Sequence, residues 1–185
     1  MGLGRDFRLP RDVRPLRYAL QFDLDLERWR FAGSERIRLT FDRPRRELYL
    51  HAVDLEIATA TAHAAERAIA LTVSPEREAE AIELRADSDL GPGEVDLDLA
   101  FTGPIRDDLK AIYRSTIGEQ RIAATQLAPA DARRAFPCFD EPEFKARFAL
   151  ELVGPAEADA VANTPIESME SLANGRRRWR FAATP

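Results

Sequence analysis

Chemistry-bearing side chains are densest in residues 125–142: Thr125, Gln126, Leu127 and Ala128, then Asp131, Arg133, Arg134, Cys138, Asp140 and Glu141. Three prolines and two phenylalanines are interleaved with them. Arginines among carboxylates could form an acid–base cluster. Arginine does not deprotonate, however, and Arg–carboxylate pairs mostly fix loops, so Asp131, Arg133, Arg134, Asp140 and Glu141 are read as structural. Cys138 sits between Pro137 and Phe139 with no histidine near it in sequence. That context suits a buried, inert thiol better than a nucleophile. Phe136 and Phe139 are read as core anchors of the loop. Gln126 taken alone is read as bonding backbone beside a strand. His51 and His63 are the only histidines, and neither begins His-Glu-x-x-His. That spacing puts two imidazoles on one helix face for zinc, with the Glu working on the bound water. Both histidines are therefore read as surface or satisfied strand residues.

A segment so rich in charge and proline has neither a strand nor a helix period. Ordering it is costly unless its charges pair and neighbouring elements hold its backbone. Those neighbours read as strands. Tyr18, Leu20, Phe22, Leu24 and Leu26 alternate with polar or small residues, and so do Ile37, Leu39 and Phe41. Ala32-Gly33-Ser34 lies between the two runs and is expected to turn a hairpin. Val95, Leu97, Leu99 and Phe101 alternate after a turn at Gly91-Pro92-Gly93. Phe144 to Leu152 and Arg178 to Phe181 form further runs, with short candidates at 48–50, 55–57, 69–73 and 82–84. Ala58 to Ala68 is alanine-rich without an apolar stripe and reads as loop or strand. Pro129 to Arg134 suits one helical turn. Asn174-Gly175 signals a hairpin whose Arg176-Arg177-Arg178 run enters an exposed edge. Many short strands between turns imply an all-β, mainly antiparallel sandwich-like domain.

Residues 125–142 resemble the Thr-Gln-x-Glu-x-x-x-Ala-Arg-x-x-x-Pro-Cys-x-Asp-Glu-Pro signature of the M1 (aminopeptidase N-like) zinc peptidases. Further resemblances run along the chain: Pro15-Leu16-Arg17-Tyr18, Phe31-Ala32-Gly33, Leu50-His51-Ala52-Val53-Asp54-Leu55, Asn163-Thr164-Pro165 and Phe181 to Pro185. The resemblance implies the saddle-shaped N-terminal β domain of such an enzyme, ending at the boundary of its catalytic domain. Zinc is expected in the full-length parent, and none in this chain, which lacks His-Glu-x-x-His and Gly-Ala-Met-Glu-Asn. In the family the signature glutamine helps bind the substrate's free α-ammonium, together with an acid two residues on. An ammonium has three donors and needs acceptors in a desolvated pocket. The resemblance thus implies that Gln126, with Thr125, Leu127 and Ala128, walls the substrate pocket. The acid's position is Ala128 here, a departure from the family pattern. In an extended segment Ala128 would point to the same side as Gln126.

The 27 Lys and Arg against 32 Asp and Glu give a net charge of −5 and a pI near 5.2. That balance argues against a nucleic-acid partner. No apolar run approaches the roughly 20 residues of a membrane span, so no membrane partner is expected. One cysteine and an N-terminus without an apolar leader point to the cytoplasm. Residues 1–8 read as a flexible arm and 9–185 as the β domain. The expected partners are the parent's catalytic domain and peptides with a free N-terminus. The competing reading is a non-catalytic binding or scaffold module on the same sandwich, favoured locally by Ala128 alone.

Overall fold

A computed structural model describes residues 8–64 and 67–185. Residues 1–7 of the expected arm lie outside this range. Arg8 is exposed and approaches Glu141 at 3.5 Å.

The chain folds as two stacked sheets and a separate hairpin. The large sheet has the order β12-β13-β11-β1-β2-β8-β4-β5. Its strands are β1 (Val13–Asp25), β2 (Arg30–Phe41), β4 (Glu56–Ala64), β5 (Arg67–Ala70), β8 (Gly93–Pro104), β11 (Arg147–Pro155), β12 (Ile166–Leu172) and β13 (Arg176–Phe181). The small sheet is β3-β7-β6, from Arg45–His51, Ala81–Leu90 and Thr72–Glu76. The hairpin is β9 (Ala111–Ile117) with β10 (Gln120–Gln126). All strand pairings are antiparallel except β1 with β11, among the described residues. The fold is therefore all-β and sandwich-like.

Alternation drives this architecture. In β2, Phe31, Ile37, Leu39 and Phe41 face inward while Arg30, Ala32, Ser34, Arg36 and Arg38 are exposed. β8 repeats the pattern with Val95, Leu97, Leu99 and Phe101 inside. Across the core the small sheet contributes Leu48, Leu50, Ile82 and Leu84. Outward residues pair across strands: Arg36 binds Asp98 through two bonds of 2.6 and 2.7 Å, and Arg38 binds Asp96 through two of 2.8 Å. Such cross-strand pairs help fix register.

Three sequence expectations need correction. The β1–β2 turn is Leu26–Trp29, not Ala32-Gly33-Ser34. Asp25 makes that turn by accepting from the backbone N–H groups of Glu27 and Arg28 at 3.0 and 2.8 Å. Gly33 instead lies inside β2, where a Cβ would come within 2.3 Å of the Phe101 ring. It is there for close packing, the other common use of a strand glycine. Residues 69–73 are two strands, not one: the chain leaves the large sheet at Ala70 and enters the small one at Thr72. Finally, the Arg176–Arg178 run is not at an edge. β13 lies between β11 and β12, and β12 is the edge. Arg176 pairs with Asp23, and Arg178 reaches Glu170 at 2.8 Å. The hairpin before it does form, with Asn174 and Gly175 both at positive φ. The alanine-rich stretch adopts the strand alternative, as β4 and β5.

Candidate functional site

The loop between β10 and β11 is held at both of its sides. A single 3₁₀ turn, Ala132–Arg134, carries the two arginines. Arg133 donates from Nε to Asp140 at 2.8 Å, and from a terminal nitrogen to Glu80 at 2.9 Å. The side chains of Arg133 and Asp140 are each only 12% exposed, so this pair is largely desolvated. Burial opposes the Arg133 charge, but its bonds to Asp140 and Glu80 outweigh that and raise its pKa. Arg134 reaches Asp54 at 2.8 Å and Asp131 at 3.3 Å. Arg106 shares Asp54 at 2.9 Å. The cluster is thus an ion-paired brace, as its arginines implied.

The backbone is tied as firmly. His51 and Cys138 exchange two backbone hydrogen bonds, at 2.8 and 3.0 Å. The Val53 N–H donates to the Arg133 carbonyl at 2.8 Å. The Tyr18 hydroxyl accepts the Phe139 N–H at 3.1 Å. His51 Nδ1 accepts the Asp140 N–H at 3.2 Å. Burial, then the nearby Arg133 charge, lower the His51 pKa and keep the ring neutral, as an accepting nitrogen requires. His51 is therefore a satisfied strand residue, and His63 is a surface one whose Nε2 lies 3.0 Å from Asp98. Cys138 is buried, free and has its pKa pushed up by burial, which suits an inert thiol. Phe136 and Phe139 are core residues. Below the loop lies a small depression of about 220 Å³, lined by Tyr18, Cys138, Phe139, Phe144 and Phe148.

The four candidate contact residues lie at the start of this loop. Thr125 and Gln126 end β10 opposite Ile112 and Ala111, and both are exposed. Leu127 is half-buried against the core. Ala128 is exposed but already in a turn. The extended segment expected to put Ala128 beside Gln126 thus stops too early. Instead the Gln126 side-chain amide donates to the Ala128 carbonyl at 3.2 Å. Among the described residues no three His, Cys, Asp or Glu side chains are placed to hold a metal ion.

The sequence reading missed Glu35. It lies on the inward face of β2, only 4% exposed, and neither carboxylate oxygen has a partner among the described residues. Burial pushes its pKa well above the usual carboxylate range. Its register was the available signal, since it follows Phe31 and Gly33 at period two.

These features define a class: an all-β domain whose braced surface loop positions groups but carries no nucleophile–base pair or metal centre among the described residues. Residues 14–185 match the Peptidase M1 N-terminal domain, and the chain belongs to that family. It is 39% identical over 163 residues to Aminopeptidase M1-B of Oryza sativa subsp. japonica, covering 86% of this chain and 18% of that protein. It is 32% identical over 182 residues to Glutamyl aminopeptidase of Sus scrofa, covering 92% of the chain and 19% of the relative. It is likewise 32% identical over 184 residues to Aminopeptidase 2, mitochondrial, of Saccharomyces cerevisiae, covering 96% and 19%. The chain therefore spans less than a quarter of each of these relatives.

Proposed function

We propose that this chain is the N-terminal domain of a zinc-dependent aminopeptidase that removes N-terminal residues from peptides. In this reading Thr125, Gln126, Leu127 and Ala128 wall the substrate pocket. The observation that carries it is the placement of Gln126: exposed at the end of a strand, directly before a loop fixed by the largely desolvated Arg133–Asp140 pair. A group meant to meet a ligand needs such a rigid support. Gln126 offers a side-chain carbonyl to an ammonium, and Ala128 leaves the charged acceptor to come from elsewhere. The chain's own part is binding and orientation. The zinc and the proton-moving glutamate would belong to a catalytic domain, which is also the proposed partner.

Two measurements test this. The isolated chain, incubated with amino-acid p-nitroanilides with and without zinc, should release no product; zinc-dependent release above blank would refute it. In the parent enzyme Gln126→Ala should raise KM for free-amine peptides by about tenfold, the loss of one hydrogen bond to a charged group. It should leave binding of the matched N-acetylated peptides as inhibitors unchanged. Equal effects on both would make the segment a structural wall.

One observation favours a second reading, a scaffold module. Gln126 already bonds its own loop at Ala128, where the family signature has an acid. The coding sequence beyond Pro185 separates the two: His-Glu-x-x-His with Gly-Ala-Met-Glu-Asn means peptidase, and their absence means scaffold.

A further inference from the structure

The outer face of the large sheet follows one rule with one exception. Its outward-facing arginines have acids across the strand: Arg36 with Asp98, Arg38 with Asp96, Arg180 with Glu151 and Arg178 with Glu170. Arg17 and Arg147 do not. They are directly opposed in the parallel β1–β11 register, both exposed, and neither has an ion-pair partner among the described residues. Arg38 stands next to Arg17 on its other side, but its fork is already filled by Asp96. Neighbouring strands lie about 4.8 Å apart. Like charges directly opposite at that spacing destabilise a sheet.

Arg17 also stands at the rim of a concave depression of about 630 Å³. Its lining combines the small residues Ala19 and Ala149, the neutral Gln21 and Ser34, and carboxylates, of which Asp98 and Glu151 are held by arginines across the strand. That volume falls within the range of small-molecule sites.

We propose that Arg17 and Arg147 form an oxyanion site for a phosphomonoester whose compact polar body occupies this depression. Directly opposed residues, Arg17 and Arg147 supply two charges and two forks of N–H donors. A phosphomonoester answers with about −1.5 to −2 charges and three acceptor oxygens. A carboxylate, with one charge and two oxygens, would satisfy only one fork. The Ala19 and Ala149 methyls give the body a flat floor, while Gln21 and Ser34 can bond its hydroxyls. The site lies on the outer sheet face and is independent of the peptidase reading.

Titration calorimetry of the chain at low salt, with inorganic phosphate and with glucose 6-phosphate, tests this. Both should bind, and glucose 6-phosphate at least threefold more tightly, because its body reaches the depression. Arg17→Gln and Arg147→Gln should each weaken both by about tenfold or more. Arg67→Gln, an exposed arginine on the opposite edge strand, should leave them unchanged. Without phosphate, Arg147→Gln should raise the melting midpoint by relieving the repulsion, and circular dichroism should show both variants folded. Absent phosphate binding, or equal loss in Arg67→Gln, would show a merely solvated basic row and overturn the proposal. Equal affinity for the two probes would overturn the role given to the depression.

Discussion

Removing the carboxyl of Glu35 should stabilise this domain, and more so at neutral than at acid pH. Glu35 faces the core between Leu20 of β1 and Leu99 of β8, its register partners. Its oxygens have no hydrogen-bond partner among the described residues. Burial holds its pKa well above the ordinary 4.5. The sign follows from proton counting. Above about pH 4.5 the unfolded chain has lost this proton while the folded chain keeps it. Stability therefore falls as pH rises, by about 1.4 kcal/mol per pH unit, until the folded carboxyl itself ionises. A neutral polar group buried without a hydrogen bond adds about 1–3 kcal/mol at any pH. Glu35→Gln removes only the pH-dependent part. Glu35→Leu, of similar volume, removes both, less up to about 1.5 kcal/mol for imperfect packing. Urea unfolding followed by tryptophan fluorescence, for wild type and both variants between pH 4 and 8, measures these differences. Taking the wild-type-minus-variant difference cancels the titration of other carboxylates. Glu35→Gln should match wild type near pH 4 and gain on it by about 1.4 kcal/mol for each pH unit above the unfolded value until the folded carboxyl ionises. Parallel pH profiles for wild type and Glu35→Gln would show that Glu35 ionises in the folded state as it does unfolded. The carboxyl would then be solvated, and the reasoning would fail.

Three further outcomes follow from the packing. Arg133→Ala should cost about 3–5 kcal/mol, because Asp140 would be left desolvated and unpaired; a melting midpoint within a degree of wild type would refute this. Gly33→Ala should cost about 1–3 kcal/mol or more, because the new Cβ meets the Phe101 ring at 2.3 Å; denaturant midpoints measure it. Asp12 is raised by burial but lowered more by its bonds to Arg45 and Arg43, to a pKa of about 2. Its contribution is present above the unfolded value of 3.8 and lost as pH falls towards 2, so Asp12→Asn should flatten the acid limb of the stability profile there.

How much of this was legible depended on whether a signal is local. Period-two alternation in β1, β2, β8 and β11 is local, and it gave the strands and the sandwich. Glycine was ambiguous because it serves both turns and close packing. Gly91 and Gly93 turn the chain at positive φ, whereas Gly33 makes room for a ring 68 residues further on. Leu71 marks a switch between sheets that an unbroken apolar run conceals. The parallel β1–β11 pair joins residues about 130 apart in sequence and has no local signature.

The loop divides in the same way. That Arg133 and Arg134 would be paired followed from their chemistry, since a semi-buried guanidinium needs acceptors wherever it lies. Which acids answer them did not follow, because Asp54 lies in the connection between β3 and β4 and Glu80 in the turn just before β7, both distant in sequence. The Tyr18 hydroxyl and the His51 ring are in the same position: each is an ordinary strand residue in sequence, and each closes a backbone donor of the loop only after β1 and β3 are brought together. The order of the loop that follows residues 125–128 thus rests on side chains outside the motif, Tyr18, His51, Asp54 and Glu80, as well as on the Arg133–Asp140 pair within it. A substitution at Tyr18 or Glu80 should therefore disturb the presentation of Gln126, although neither residue touches it.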